Sequence, residues 1–136
     1  MRGLIVDYVG VLDGPEEEQQ RWRHLLKSAR DAGVGTAVLS NDPGGPGADH
    51  IRAWEQGGFV DAVILSGEIG AEKPTAEAFD TAAAALELPA SDCVLVDDRI
   101  ENIVGAIEHG MVGVLYSQFD RTVIEIMGLF ELSGEF

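Results

Sequence analysis

Five short apolar runs constrain this chain more than any other feature: Gly3 to Val6, Thr36 to Leu39, Ala62 to Leu65, Cys93 to Val96 and Met111 to Leu115. Each is dense in valine, isoleucine and leucine and lacks the polar alternation of a half-solvated strand. Such runs are how strands covered on both faces of a parallel sheet read. Helical spacing fills the intervals. Trp22, Leu25, Leu26 and Ala29 recur behind Glu16, Glu17 and Glu18, and Gly33 stops that helix. Ile51 and Trp54 mark a shorter one ending at Gly57-Gly58, and Thr75 can cap a third with Phe79, Ala82, Ala83 and Leu86 inward. Ile100, Ile103, Val104 and Ile107 mark a fourth, closed by Gly110; Asp120 opens a last one through Val123, Ile124, Met127 and Phe130. Strand and helix alternate five times. That predicts an α/β fold, a single Rossmann-like three-layer α/β/α sandwich around a five-stranded parallel sheet. The segment Asp42-Pro43-Gly44-Gly45-Pro46-Gly47 reads as a mobile connector that is not helical.

The 136 residues suit one domain, 1–136, with no room for a second. Asp and Glu outnumber Lys and Arg by 24 to 9, a formal charge of −15 that disfavours nucleic acid or an anionic membrane as partners of the general surface. No apolar run approaches the ~20 residues of a membrane span, and the N-terminus lacks a secretory apolar region. With Cys93 as the one cysteine, the expected setting is soluble, reducing and cytoplasmic.

The chemistry is written at the ends of the runs. The first ends in Asp7, the second in Ser40-Asn41, the third in Ser66 and the fourth in Asp97-Asp98, while Lys73 precedes the third helix. In an open parallel sheet the carboxyl ends of the strands share one edge, so these residues are predicted to converge there. Three carboxylates in one small site repel, and a divalent cation relieves them. Oxygen donors without His or Cys suit Mg²⁺. Mg²⁺ beside Lys⁺ attracts a phosphate dianion, and a carboxylate next to it is a plausible nucleophile.

At these residues the sequence resembles the haloacid dehalogenase (HAD) superfamily. Leu4-Ile-Val-Asp7-Tyr-Val-Gly-Val-Leu12 is similar to its first motif and Val38-Leu-Ser40-Asn41 to its second. Gly70-Ala-Glu-Lys73-Pro74 is similar to the third, and Val94-Leu-Val-Asp97-Asp98-Arg99-Ile-Glu-Asn102 to the fourth. The Gly-Val-Leu of the first motif and the Asp-Asp-Arg-x-Glu-Asn of the fourth resemble the dehalogenase and epoxide-hydrolase-like branch. The resemblance implies Asp7 as nucleophile and metal ligand, with the backbone carbonyl of Val9 as a second ligand. It implies Ser40 and Asn41 as phosphate-binding residues, Lys73 as the cation that offsets charge, Asp98 as a direct Mg²⁺ ligand, and Asp97 and Asn102 in support. The implied reaction is phosphate-ester hydrolysis through an aspartyl-phosphate.

Two departures shape the expectation. The family's second acid, two residues after the nucleophile, is Val9 here, so the proton donor and water activator is missing, a role worth roughly 10²–10⁴ in rate. Beside a weakened phosphatase therefore stands a non-catalytic or regulatory protein that binds metal and phosphate. Second, neither the span from Leu12 to Val38 nor that from Asn41 to Lys73 can hold a cap domain. The site is expected to be open, suiting a phosphorylated small molecule or a larger phosphorylated substrate, or a lid from a second copy in a homodimer. Dehalogenation of small haloacids needs a closed, dry pocket and fits poorly. A phospho-accepting receiver domain groups similar residues, but its acidic pair follows the first strand and not the fourth. His24, His50 and His109 fall at no strand end, Trp22 and Trp54 sit at core spacing, and Cys93 opens a buried strand as an inert hydrophobe.

Overall fold

A computed structural model describes residues 1–136. Each apolar run forms a strand: β1 Gly3–Val6, β2 Gly35–Ser40, β3 Ala62–Leu65, β4 Cys93–Asp97 and β5 Val112–Leu115. All pair in parallel, in the order β3-β2-β1-β4-β5, with Leu4 opposite both Thr36 and Val94. The chain moves outward from β1 to β3, then crosses back to place β4 on the other side of β1. Strand order therefore reverses at β1, where open α/β sheets form their ligand crevice.

The helices are α1 Glu16–Asp31, α2 Asp49–Gln56, α3 Ser66–Ile69, α4 Ala76–Ala85, α5 Ile100–Glu108 and α6 Phe119–Phe130. Alternating strand side chains point to opposite faces. Leu4, Val6, Val38, Val94 and Val96 meet Trp22, Leu26, Ile51, Trp54 and Ile126 of α1, α2 and α6. Ile5, Ala37, Leu39 and Leu95 meet Phe79, Ala82, Ile103 and Ala106 of α4 and α5. The three-layer sandwich is thus what the runs predicted, and Thr75 caps α4 by accepting a hydrogen bond from the Ala78 N–H at 3.4 Å.

Two expectations change. Only Ile103 of the four isoleucine and valine positions marking α5 faces the core. Ile100, Val104 and Ile107 are 57%, 46% and 55% exposed, and Asn102, Ile103 and Ala106 form the inner face. The glycine- and proline-rich connector is also more ordered than its composition suggests. Pro46–Ala48 forms a 3₁₀ turn with Pro at its start, where a missing N–H costs nothing. The loop is pinned as well: the Asp42 carbonyl accepts from Gly67 N–H (2.9 Å) and Ser66 Oγ (3.2 Å), and Arg52 donates to the Gly45 carbonyl at 2.8 Å.

Candidate active site

β1 delivers Asp7, β2 delivers Ser40 and Asn41, and β4 delivers Asp97 and Asp98, all at the edge where strand order reverses. Four of these five (Asp7, Ser40, Asn41 and Asp98, but not Asp97), together with Val9, Lys73, Arg99 and Asn102, line a cleft of about 330 Å³.

Lys73 organises the floor. Its side chain is 1% exposed, and Nζ donates to Asp7 Oδ1 at 2.8 Å and to Asp97 Oδ2 at 2.7 Å. A buried ammonium needs such partners, since a lone one would be strongly disfavoured. Asn41 holds the lysine in place from its backbone. The Asn41 amide accepts from the Lys73 N–H at 2.9 Å and donates to the Lys73 carbonyl at 3.1 Å. The side chain expected to touch phosphate is thereby committed to Lys73.

The acidic pair divides in two. Asp97 is fully buried and both oxygens are engaged: Oδ1 accepts the Arg99 N–H at 2.9 Å, and Oδ2 accepts Lys73 and, at 3.2 Å, Asn102 Nδ2. Asp98 is exposed and opens on the cleft. Carboxylate oxygens of Asp7, Asp97 and Asp98 lie within 4.8 Å of one another. Asp97 is fully buried, already accepts at both oxygens and does not line the cleft, so Asp7 and Asp98 are the donors that face it. One or two carboxylates completed by carbonyl and water oxygens is a donor set that fits Mg²⁺. Burial pushes the Asp7 carboxyl up to about 6, with Lys73 pulling it down and Asp97 pushing it up.

Ser66, expected at the same edge, turns away. It starts α3, donates to the Asp42 carbonyl and lines a separate hollow with Glu72 and Glu77. No histidine reaches the cleft: His109 meets Asp80 at 2.7 Å beyond α5, His24 packs on Phe136, and His50 on Tyr8. Arg99 lines the rim and pairs with Glu101 at 2.6 Å.

Two glycines matter for their shape: Gly10, which the first motif used only as a mark of the branch, and Gly105, which no motif includes. Between Tyr8 and Leu12 the chain makes an irregular turn, with Val9 extended (φ −68°, ψ 124°) and Gly10 left-handed (φ 85°). A side chain at Gly10 would run into the Asp98 carboxylate, so glycine lets the turn after β1 close against the loop after β4. In α5, a Cβ at Gly105 would lie 2.6 Å from Pro74 Cβ, so Gly105 lets the Lys73-Pro74 segment seat against α5. A glycine just after a buried strand, or inside a helix, is the signal that could have flagged each.

Residues 4–110 match the haloacid dehalogenase-like hydrolase family. The chain belongs to that family. A sesquiterpene phosphatase of Aspergillus oryzae is 26% identical to this HAD-like hydrolase over 113 residues, covering 80% of this chain and 56% of that protein. The chain thus spans about half the length of that curated relative. A crystal structure of an uncharacterized protein from Corynebacterium glutamicum is 64% identical, covers 100% of this chain and 99% of its own, and has a TM-score of 0.98. A HAD family enzyme of Bacteroides thetaiotaomicron, solved with magnesium and inorganic phosphate, shares the fold at 16% identity and TM-score 0.63, covering 86% and 94%.

Proposed function

We propose that this HAD-like hydrolase is a Mg²⁺-dependent phosphohydrolase acting through an aspartyl-phosphate on Asp7. The observation that carries the reading is the division of labour among the carboxylates. Lys73 engages Asp97 at one oxygen and Asp7 at one, which leaves the second Asp7 oxygen and Asp98 to the cleft. Asp7, Asp98 and the Val9 carbonyl would hold Mg²⁺, which supplies charge neutralisation for a phosphate dianion. The Ser40 hydroxyl, at the end of β2, donates to a phosphoryl oxygen. The free Asp7 oxygen attacks phosphorus, and the bond from phosphorus to the leaving oxygen breaks. Lys73 holds Asp7 in position and offsets its charge throughout. Water then cleaves the acyl phosphate and restores Asp7.

Val9 is 61% exposed at the cleft and has no proton to give. The leaving group must take its proton from solvent or leave as a stable anion, so turnover is slower by roughly 10²–10⁴ than with an acid at this position. The phosphatase relative and the magnesium- and phosphate-bound neighbour support this chemistry. Within the family the motifs favour the dehalogenase and epoxide-hydrolase-like branch. A single helix, α1, between β1 and β2 supports an uncapped, open site for a phosphorylated small molecule or larger phosphorylated substrate. Val9 also favours a second reading, a protein that binds metal and phosphate without turnover.

Hydrolysis of p-nitrophenyl phosphate with Mg²⁺ separates these. The phosphatase reading expects Asp7→Asn to abolish the rate and Val9→Asp to raise it. Equal rates for native protein and Asp7→Asn would overturn it. Phosphate binding by calorimetry with no hydrolysis in either native protein or Val9→Asp would favour the binding protein.

A further inference from the structure

A second cavity of about 330 Å³ lies between α1 and α2, lined by Tyr8, Gln19, Arg23, His50, Trp54 and Phe59. It starts at the same sheet edge as the cleft, because Tyr8 follows Asp7 and His50 sits in the first turn of α2. The Tyr8 side chain points to the other face. Tyr8 is only 8% exposed and belongs to the core over α1 and α2, yet its hydroxyl has no protein partner and opens into this cavity. The ring is buried while the hydroxyl oxygen stays accessible from the cavity, where it is free to donate a hydrogen bond.

The walls are aromatic. His50 meets the Tyr8 ring edge-on at 5.2 Å, and Trp54 and Phe59 form an edge-to-face pair at 6.1 Å. Arg23 holds its guanidinium 5.3 Å from the Trp54 ring centre. Gln19 is spent, donating to the Gly14 carbonyl at 2.8 Å and accepting from Arg23 at 3.3 Å. Arg23 is otherwise paired at 2.9 Å with Glu16, a carboxylate 64% exposed that competes weakly for it. The polar functions facing the cavity are therefore a phenol donor, an imidazole and a cation shared with the exposed Glu16, set among ring faces.

We propose that this cavity is a second ligand site, distinct from the Asp7 cleft, which takes a planar aromatic ring carrying one carboxylate. The ring lies among Trp54, Phe59 and His50, and the carboxylate accepts from the Tyr8 hydroxyl and pairs with Arg23. The volume sits at the small end of ligand pockets, which limits the occupant to one or two fused rings.

The test is titration of the intact protein with 2-naphthoate, followed by calorimetry and by amide chemical shifts. A dissociation constant on the order of 0.1–1 mM is expected from ligands of this size, with shifts centred on Tyr8, Arg23 and Trp54. Tyr8→Phe keeps the ring and the fold and is expected to weaken binding at least about fivefold. Arg23→Gln is expected to bring 2-naphthoate down to the affinity of the uncharged 2-naphthalenemethanol. Asp7→Asn is expected to bind as the native protein does, so the result stands or falls apart from the phosphatase reading. No binding at about 5 mM, binding unchanged in Tyr8→Phe, or shifts centred on Lys73 and Asp98 would each overturn the proposal.

Discussion

At the scale of single residues, the buried Asp7 carboxylate sets a stability cost with a definite sign. Its carboxyl titrates near 3.8 in an unfolded chain and at about 6 in the folded one, mainly because burial disfavours the charge. Between those values the folded state holds a proton that the unfolded chain has released. The stability associated with this group is therefore fully present below about pH 4, falls as pH rises and is lost above about pH 6, a difference of about 3 kcal/mol. Asn at this position keeps the shape without the charge, and Lys73 retains Asp97. In the absence of divalent metal, Asp7→Asn is expected to be more stable than native protein by about 1–3 kcal/mol at about pH 7.5, with the gap closing near pH 4. Urea unfolding at both pH values checks this; a variant less stable at neutral pH would mean that the Asp7–Lys73 pair outweighs burial. Gly10 works in the other direction. Gly10→Ala forces a Cβ onto a left-handed backbone and into Asp98, and is expected to weaken Mg²⁺ binding by at least tenfold while costing only about 1 kcal/mol of stability. Magnesium calorimetry beside a melting curve separates the two effects.

At the scale of elements, legibility followed how local each cause is. Strands covered on both faces carry their signature within four to six residues, so all five were readable and the polar residues ending them could be aligned on one edge. That alignment brings Asp7 and Asp97 together, and Lys73 joins them from the segment before α4, where the sequence shows a lone lysine at the same edge. Ser66 escaped because β3 ends in a helical turn that carries its hydroxyl to Asp42. The Tyr8–Leu12 turn was not readable as a shape, since what it closes against, Asp98, arrives from β4 at the far end of the sequence. In α5 the apolar residues fall on two sides, and spacing alone could not say which side meets the sheet. Only packing decides: Asn102 faces inward because Asp97 accepts its amide, and that rotates Ile100, Val104 and Ile107 outward. The assignment predicts a contrast. Ile103→Ala is expected to cost about 2–4 kcal/mol, and Ile100→Ala less than about 0.5 kcal/mol. Comparable losses in denaturant midpoint for both would show that α5 is rotated from this arrangement.

At the scale of the whole molecule, the charge of −15 and the metal site make competing claims on any added cation. Eight of the nine basic side chains are already paired, from Arg2 with Asp92 to Arg99 with Glu101, leaving Arg121. More than half the carboxylates therefore face water without a cation, and their mutual repulsion weakens the folded state. Monovalent salt relieves that repulsion by screening, so NaCl raised to about 0.5 M is expected to increase the melting temperature whether or not the cleft binds metal. Mg²⁺ screens too, and a melting shift by itself proves no site. The distinction lies in what remains at matched ionic strength. A site formed by Asp7 and Asp98 adds stabilisation that grows with the logarithm of Mg²⁺ concentration, about 1–3 kcal/mol at ten to a hundred times the dissociation constant, or several degrees. Asp98→Asn removes one donor from the cleft but only one charge from the acidic surface. It is expected to keep the NaCl response and lose the Mg²⁺ increment. If the increment survives in Asp98→Asn, magnesium is acting on the diffuse field of the whole molecule and the cleft is not its site.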